Sequence, residues 1–108
     1  MPHVFTAARA SRLPGAPGRI SVDIFRHGSL DVRWYAPFGM DRQTPHDRDE
    51  VYIVASGEGH FRCGGELSPC RAGDLLFAPA GSEHRFEDFS ADFGAWMIFY
   101  GPKGGEAP

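Results

Sequence analysis

The sequence predicts an all-β domain, a small barrel or sandwich, and three observations carry that prediction. No window shows an apolar period of 3.6 residues, so no long amphipathic helix is expected. Short runs that alternate apolar and polar residues, or are rich in β-branched ones, recur with turn signals about every 8–12 residues, which reads as about eight or nine short strands. The 14 glycines and 9 prolines supply turns for such a chain and would interrupt helices.

Residues 1–19 read as an N-terminal arm, with a short strand at His3–Ala8 and then a loop broken by the pairs Pro14-Gly15 and Pro17-Gly18. Ile20–Phe25 alternates, with Ile20, Val22 and Ile24 on one face, and is a half-buried strand. His27-Gly28-Ser29 turns the chain into Leu30–Ala36, where Leu30, Val32 and Trp34 oppose Asp31 and Arg33. Pro37 to Asp49 is polar and reads as a loop. Glu50–Ala55 is β-branched and reads as a strand, closed by a turn at Ser56–Gly59. His60–Cys63 and Glu66–Cys70 flank Gly64-Gly65, a two-residue hairpin signal. Leu75–Ala78, His84–Phe86 and Ala95–Tyr100 complete the strands, so that 20–100 form one barrel domain and 101–108 a flexible tail.

Composition excludes several classes. The 108 residues suit one domain, and 42% hydrophobic with 13% aromatic content suits a packed core. Eleven basic residues against 14 acidic ones, a net charge of −3, offer no basic surface for nucleic acid. No apolar stretch reaches the length of a membrane span, and the start of the chain lacks the pattern of a secretory signal, so the cytoplasm is the expected compartment. Cys63 and Cys70 are the only cysteines, and in a reducing compartment they read as small buried hydrophobes ahead of a disulfide pair.

Two segments carry chemistry. The first runs from Gly39 through His46 and Glu50 to Gly57; the second runs from Gly73 through Pro79, Gly81 and His84 to Asp88. The glycines stand where turns need unusual backbone angles, and Pro79 stops strand pairing. Two imidazoles and a carboxylate make a donor set for a borderline divalent ion, found in non-haem iron oxygenases and in some zinc enzymes.

These segments resemble the paired motifs of the cupin superfamily. His46, Glu50 and Gly57 fall at the spacing of the second His, the Glu and the closing Gly of its first motif. Gly73, Pro79, Gly81 and His84 match its second motif, with Asp88 where Asn is usual. The first His of the first motif is replaced by Thr44. The resemblance implies a single small cupin-type β-barrel, a double-stranded β-helix or jelly roll. It also implies one divalent ion per chain (Fe, Mn, Zn or Ni) on His46, Glu50 and His84; Gln43 or Asp47 is close enough in sequence to lend an extra oxygen, although neither sits at a family ligand position. The function it implies is a metal-dependent enzyme on a small organic molecule, of dioxygenase, isomerase or decarboxylase type, with non-haem oxygenase-like chemistry favoured by the two-His, one-Glu set. The alternative is a non-catalytic small-ligand-binding or sensor module with a degenerate metal site. Tyr52, on the face of its strand that carries Glu50, and Glu83 are the candidates for proton transfer. The expected partners are a small molecule and a second copy of the chain, a homodimer in which the N-terminal arm is exchanged.

Overall fold

A computed structural model describes residues 3–15, 20–41 and 43–107. The chain folds into eight strands: β1 (Val22–His27), β2 (Leu30–Tyr35), β3 (Asp49–Ser56), β4 (Glu58–Cys63), β5 (Glu66–Arg71), β6 (Leu75–Ala78), β7 (His84–Glu87) and β8 (Gly94–Tyr100). They form two antiparallel sheets, one in the order β1-β2-β8-β3-β6 and one in the order β5-β4-β7. This is a small all-β fold, as the strand pattern predicts, and of the barrel type that the resemblance implies. No helix among the described residues is long and apolar enough to cross a membrane.

The inner faces follow from a period of two. On β3, Glu50, Tyr52 and Val54 point inward, and on β8 Ala95, Met97 and Phe99 do so. With Phe61, Phe86 and Phe93 from the other side, these residues make one core. Phe86 and Phe93 pack with ring centroids 4.7 Å apart, and Tyr52 meets the edge of Phe86 at 5.0 Å. Cys70 is buried in this core, Cys63 packs against it, and both are free thiols.

The outer face of the large sheet is apolar too. On the β1–β2 side Trp34 is buried and meets Trp96 edge to face at 5.1 Å, and Phe5 from the N-terminal segment stacks on Phe25 at 4.8 Å. On the other side Leu75 and Phe77 of β6 remain 65% and 49% exposed, in register with Ile53 and Val51.

Two local expectations are corrected, and the tail has its own contacts. In place of a strand at His3–Ala8 there is a one-turn helix, α1 (Ala7–Ala10), whose Thr6 side chain accepts a hydrogen bond from the Arg9 N–H at 3.3 Å. Alanines at positions 7, 8 and 10 and the Thr6 cap favour that turn once Ala10 has a buried seat. The strand read at Ile20–Phe25 begins at Val22 and carries an irregularity in register between Asp23 and Phe25, so Ile24 and Phe25 are both half-buried and Ile20 is left exposed. Of the tail read as 101–108, the described residues are hydrogen-bonded into the body: Gly101 N–H to Ser29 Oγ at 3.2 Å, Gly104 N–H to the Asp47 carbonyl at 2.6 Å, and Glu106 N–H to Asp49 Oδ2 at 2.8 Å. Pro17, Gly18 and the rest of 16–19 lie outside the described residues.

Candidate metal centre

The two sequence segments are clipped together by backbone. The Gly81 N–H donates to the His46 carbonyl at 2.7 Å, and the Ala80 N–H donates to Asp49 Oδ1 at 2.9 Å. The turn after β6 is therefore fastened to the loop that carries His46. Gly57 closes the first segment at φ +76°, where a Cβ would lie 2.5 Å from Ser90 Oγ and 2.8 Å from the Phe93 Cα. Only glycine satisfies both the angle and the space there. Asp88 adopts φ 49°, a left-handed conformation that Asp and Asn tolerate better than other side chains, so Asp can stand at that position.

This framework brings His46, Glu50 and His84 to one point, with one ligand-type atom from each lying within 4.8 Å of the others. Glu50 is 0% exposed and His84 is 3% exposed. His84 Nε2 lies 2.9 Å from Glu50 Oε1, and His46 Nε2 lies 4.0 Å from the same oxygen. Neither pair is aligned as a hydrogen bond: both Glu50 oxygens and both Nε2 atoms are buried without a hydrogen-bond partner. A fully buried carboxylate with no donor is costly unless a cation joins it. The set of one carboxylate and two imidazole nitrogens suits a divalent ion at their common focus.

The surroundings support that chemistry. His84 Nδ1 lies 3.0 Å from the Ser82 carbonyl, which can accept only if Nδ1 carries the proton and so leaves the Nε2 lone pair directed inward. Burial lowers the pKa of His84, but the Glu50 carboxylate and the Ser82 carbonyl outweigh it and the net shift is upward. For His46, burial wins over the pull of Glu50 and the pKa falls. The His46 ring stands on the edge of Phe99 at 4.8 Å, and the Arg33 guanidinium lies over the same Phe99 ring at 4.9 Å. Arg33 is in turn paired with Asp31 at 2.8 Å.

The other candidates fall in different places. Tyr52 is buried beside the group, its ring 6.0 Å from that of His84, and its hydroxyl donates to Gln43 Oε1 at 2.7 Å. Burial first, and then the charge of Glu50, push its pKa well up. Gln43 is committed on both ends, since its Nε2 donates to Asp41 Oδ2 at 2.7 Å. Asp47 and Thr44 are exposed. Glu83, just before β7, does not face the group: its side chain is 78% exposed and pairs with Arg85 at 3.4 Å.

Sequence reasoning missed Asp41. It is buried, and its carboxylate accepts from Tyr35 Oη, from the Phe86 N–H at 2.7 Å, from the Gln43 N–H at 3.2 Å and from Gln43 Nε2. Tyr35 is pushed far up in pKa by burial and by that carboxylate. The available signal was an acid two residues before Gln43 in a loop that must reach the barrel mouth.

Comparison with known proteins agrees with the fold. Residues 35–92, just over half the chain, match the cupin domain family. An uncharacterized protein of Streptomyces coelicolor is 36% identical over 84 residues, covering 76% of this chain and 80% of that protein. A Klebsiella pneumoniae protein with a double-stranded β-helix domain superposes with a TM-score of 0.74 at 18% identity, covering 93% of this chain and 90% of that one. A Photorhabdus luminescens protein superposes with a TM-score of 0.58 at 24% identity over 68% of this chain, which spans 63% of that protein's length. At these identities the two structures speak for the fold alone.

Proposed function

The chain belongs to the cupin family, and from that premise we propose that it holds a divalent metal ion on His46, Glu50 and His84 and is a metal-dependent enzyme acting on a small organic molecule, oxygenase-like in its ligand set. One observation carries the reading: four buried donor atoms of these three side chains converge without a hydrogen-bond partner. An ion bound there supplies Lewis acidity or activates oxygen. The protein's own residues do the rest. Glu50 brings the negative charge, the Ser82 carbonyl fixes the tautomer of His84, and Phe99 props the ring of His46. Tyr52, Phe61 and Phe86 pack ring against ring along the inner wall of the barrel. Thr44 offers no imidazole, which leaves a position free for a small ligand.

The test begins with metal content. Protein dosed with Fe, Mn, Zn or Ni is expected to hold about one ion per chain by elemental analysis, and His84→Ala is expected to lose it. Wild-type protein that stays empty after every metal overturns the reading. Oxygen uptake by the loaded protein across aromatic and keto-acid compounds then separates enzyme from non-catalytic module. Binding without turnover throughout favours the second reading, a sensor or ligand-binding cupin, which the exposed Thr44 in place of a histidine supports.

The same reading includes a homodimer. Leu75 and Phe77, exposed on the edge strand β6, support it. Light scattering is expected to give twice the chain mass, and Phe77→Glu to give the monomer; a wild-type monomer overturns the dimer.

A further inference from the structure

We propose that Tyr52 serves the metal pocket as a hydrogen-bond acceptor, its one proton committed to Gln43 by Asp41, and that the pocket therefore selects a ligand presenting an O–H or N–H. The inference rests on the metal reading above and adds the polarity of the pocket's wall.

Asp41 sets the direction of the hydrogen bonds that reach Tyr52. Its Oδ1 accepts the Gln43 N–H at 3.2 Å and its Oδ2 accepts the Phe86 N–H at 2.7 Å, so both oxygens present lone pairs. A side-chain amide has one donating end and one accepting end. Since Asp41 Oδ2 lies 2.7 Å from Gln43 Nε2, the donating end is spent there. The carbonyl end, Oε1, must face the other way, and it lies 2.7 Å from the Tyr52 hydroxyl. A carbonyl oxygen cannot donate, so Tyr52 gives its single proton to Gln43 and keeps only lone pairs. Tyr52 follows Glu50 by two residues on the inner face of β3, and the Glu50 oxygens have no donor. The wall on this side of the pocket thus offers acceptors only: a carboxylate and a phenol oxygen. Water, an alcohol or an amine held beside the ion satisfies Tyr52; an anion without protons does not. Asp41 and Gln43 are positioning residues in this arrangement, since they act through Tyr52.

Cobalt(II) affinity, followed by its visible absorption, is measured for wild type, Tyr52→Phe, Gln43→Met and the double variant, each with a metal-free melting curve. Tyr52→Phe keeps the ring contacts and is expected to bind cobalt about tenfold more weakly, the worth of one hydrogen bond. Gln43→Met frees the Tyr52 proton to turn toward Glu50 and compete with the ion. It is expected to weaken cobalt binding in the wild-type background and to have no effect once Tyr52 is Phe. Gln43→Leu replaces it if the Met variant does not fold. Methylamine, which carries N–H groups, is expected to bind cobalt-loaded Tyr52→Phe about tenfold more weakly than wild type, and azide equally well. Unchanged cobalt affinity in Tyr52→Phe, additive effects of the two substitutions, or equal losses for methylamine and azide overturn this inference and leave the metal reading standing. Wild-type protein that takes up no cobalt, nickel, zinc, iron or manganese overturns both.

Discussion

The loop before β3 and the first turn of that strand put two carboxylates inside the barrel, and the protein treats them in opposite ways. Asp41 is ringed by donors: two backbone N–H groups, the Gln43 amide and the Tyr35 hydroxyl. Glu50 is more deeply buried and has no hydrogen-bond donor, only two imidazoles whose nitrogens are not aligned on it. Burial alone does not separate the two, and neither does residue type. The separation lies in whether the protein has already satisfied the charge. A saturated carboxylate is part of the scaffold, because its partners are fixed elements of the chain. A bare one beside imidazole nitrogens leaves its electrostatic demand to something from outside.

That contrast breaks most visibly through stability. Asp41→Ala strands the Phe86 N–H, the Tyr35 hydroxyl and the Gln43 amide in a buried place. At about 1–3 kcal/mol for each unmet donor, the loss is expected to be on the order of 3–5 kcal/mol, read as a lower denaturant midpoint with unchanged slope. A loss under about 1 kcal/mol would mean that the Asp41 bonds do not hold the loop. Glu50→Gln is expected to do the opposite in metal-free protein, leaving the melting temperature unchanged or raising it, because it removes an unpaired buried charge. With metal at about one hundred times its dissociation constant, wild type is expected to gain about 2.7 kcal/mol and Glu50→Gln nothing. A metal-free Glu50→Gln variant that melts as low as Asp41→Ala would erase the distinction between the two carboxylates.

The same contrast shows what was legible in the sequence. The metal group could be found because two segments of the chain resemble a family's paired motifs; taken alone, each of its side chains reads as an ordinary loop, strand-start or turn residue. The strands were legible because alternation is a property of neighbours. Asp41 could not be found that way. Its partners are Tyr35, Gln43 and Phe86, and the last is brought to it by the pairing of β7 with β4 and the closure of the barrel. The helix at Ala7–Ala10 was missed because its alanines and Thr6 cap are weak local signals for so short a turn, and the buried seat of Ala10 that completes them is a tertiary feature. Glu83 was offered for proton transfer beside Tyr52, but its side chain is exposed and pairs with Arg85, a placement that its neighbours in the sequence do not reveal.

Two further acids sharpen the comparison at its weaker end. Asp31 is buried and ion-paired with Arg33 at 2.8 Å. Burial raises its pKa, but Arg33, Arg26 and Arg48 outweigh burial and hold the net value below the ordinary 3.8. A depressed folded-state pKa stabilises the fold above the unfolded value and ceases to do so as pH falls through the folded one. The stability difference between wild type and Asp31→Asn, from urea unfolding, is therefore expected to be constant near neutral pH and to shrink once the pH drops below about 4. A difference that stays flat into that range would mean the pair adds nothing to the fold. Glu83 marks the lower limit. It is largely exposed, its pairing with Arg85 is screened by water, and Glu83→Gln is expected to change stability by less than about 0.5 kcal/mol and metal content not at all. Loss of bound metal in Glu83→Gln would show that an exposed acid reaches the pocket after all, and that saturation by donors is not what distinguishes the acids of this barrel.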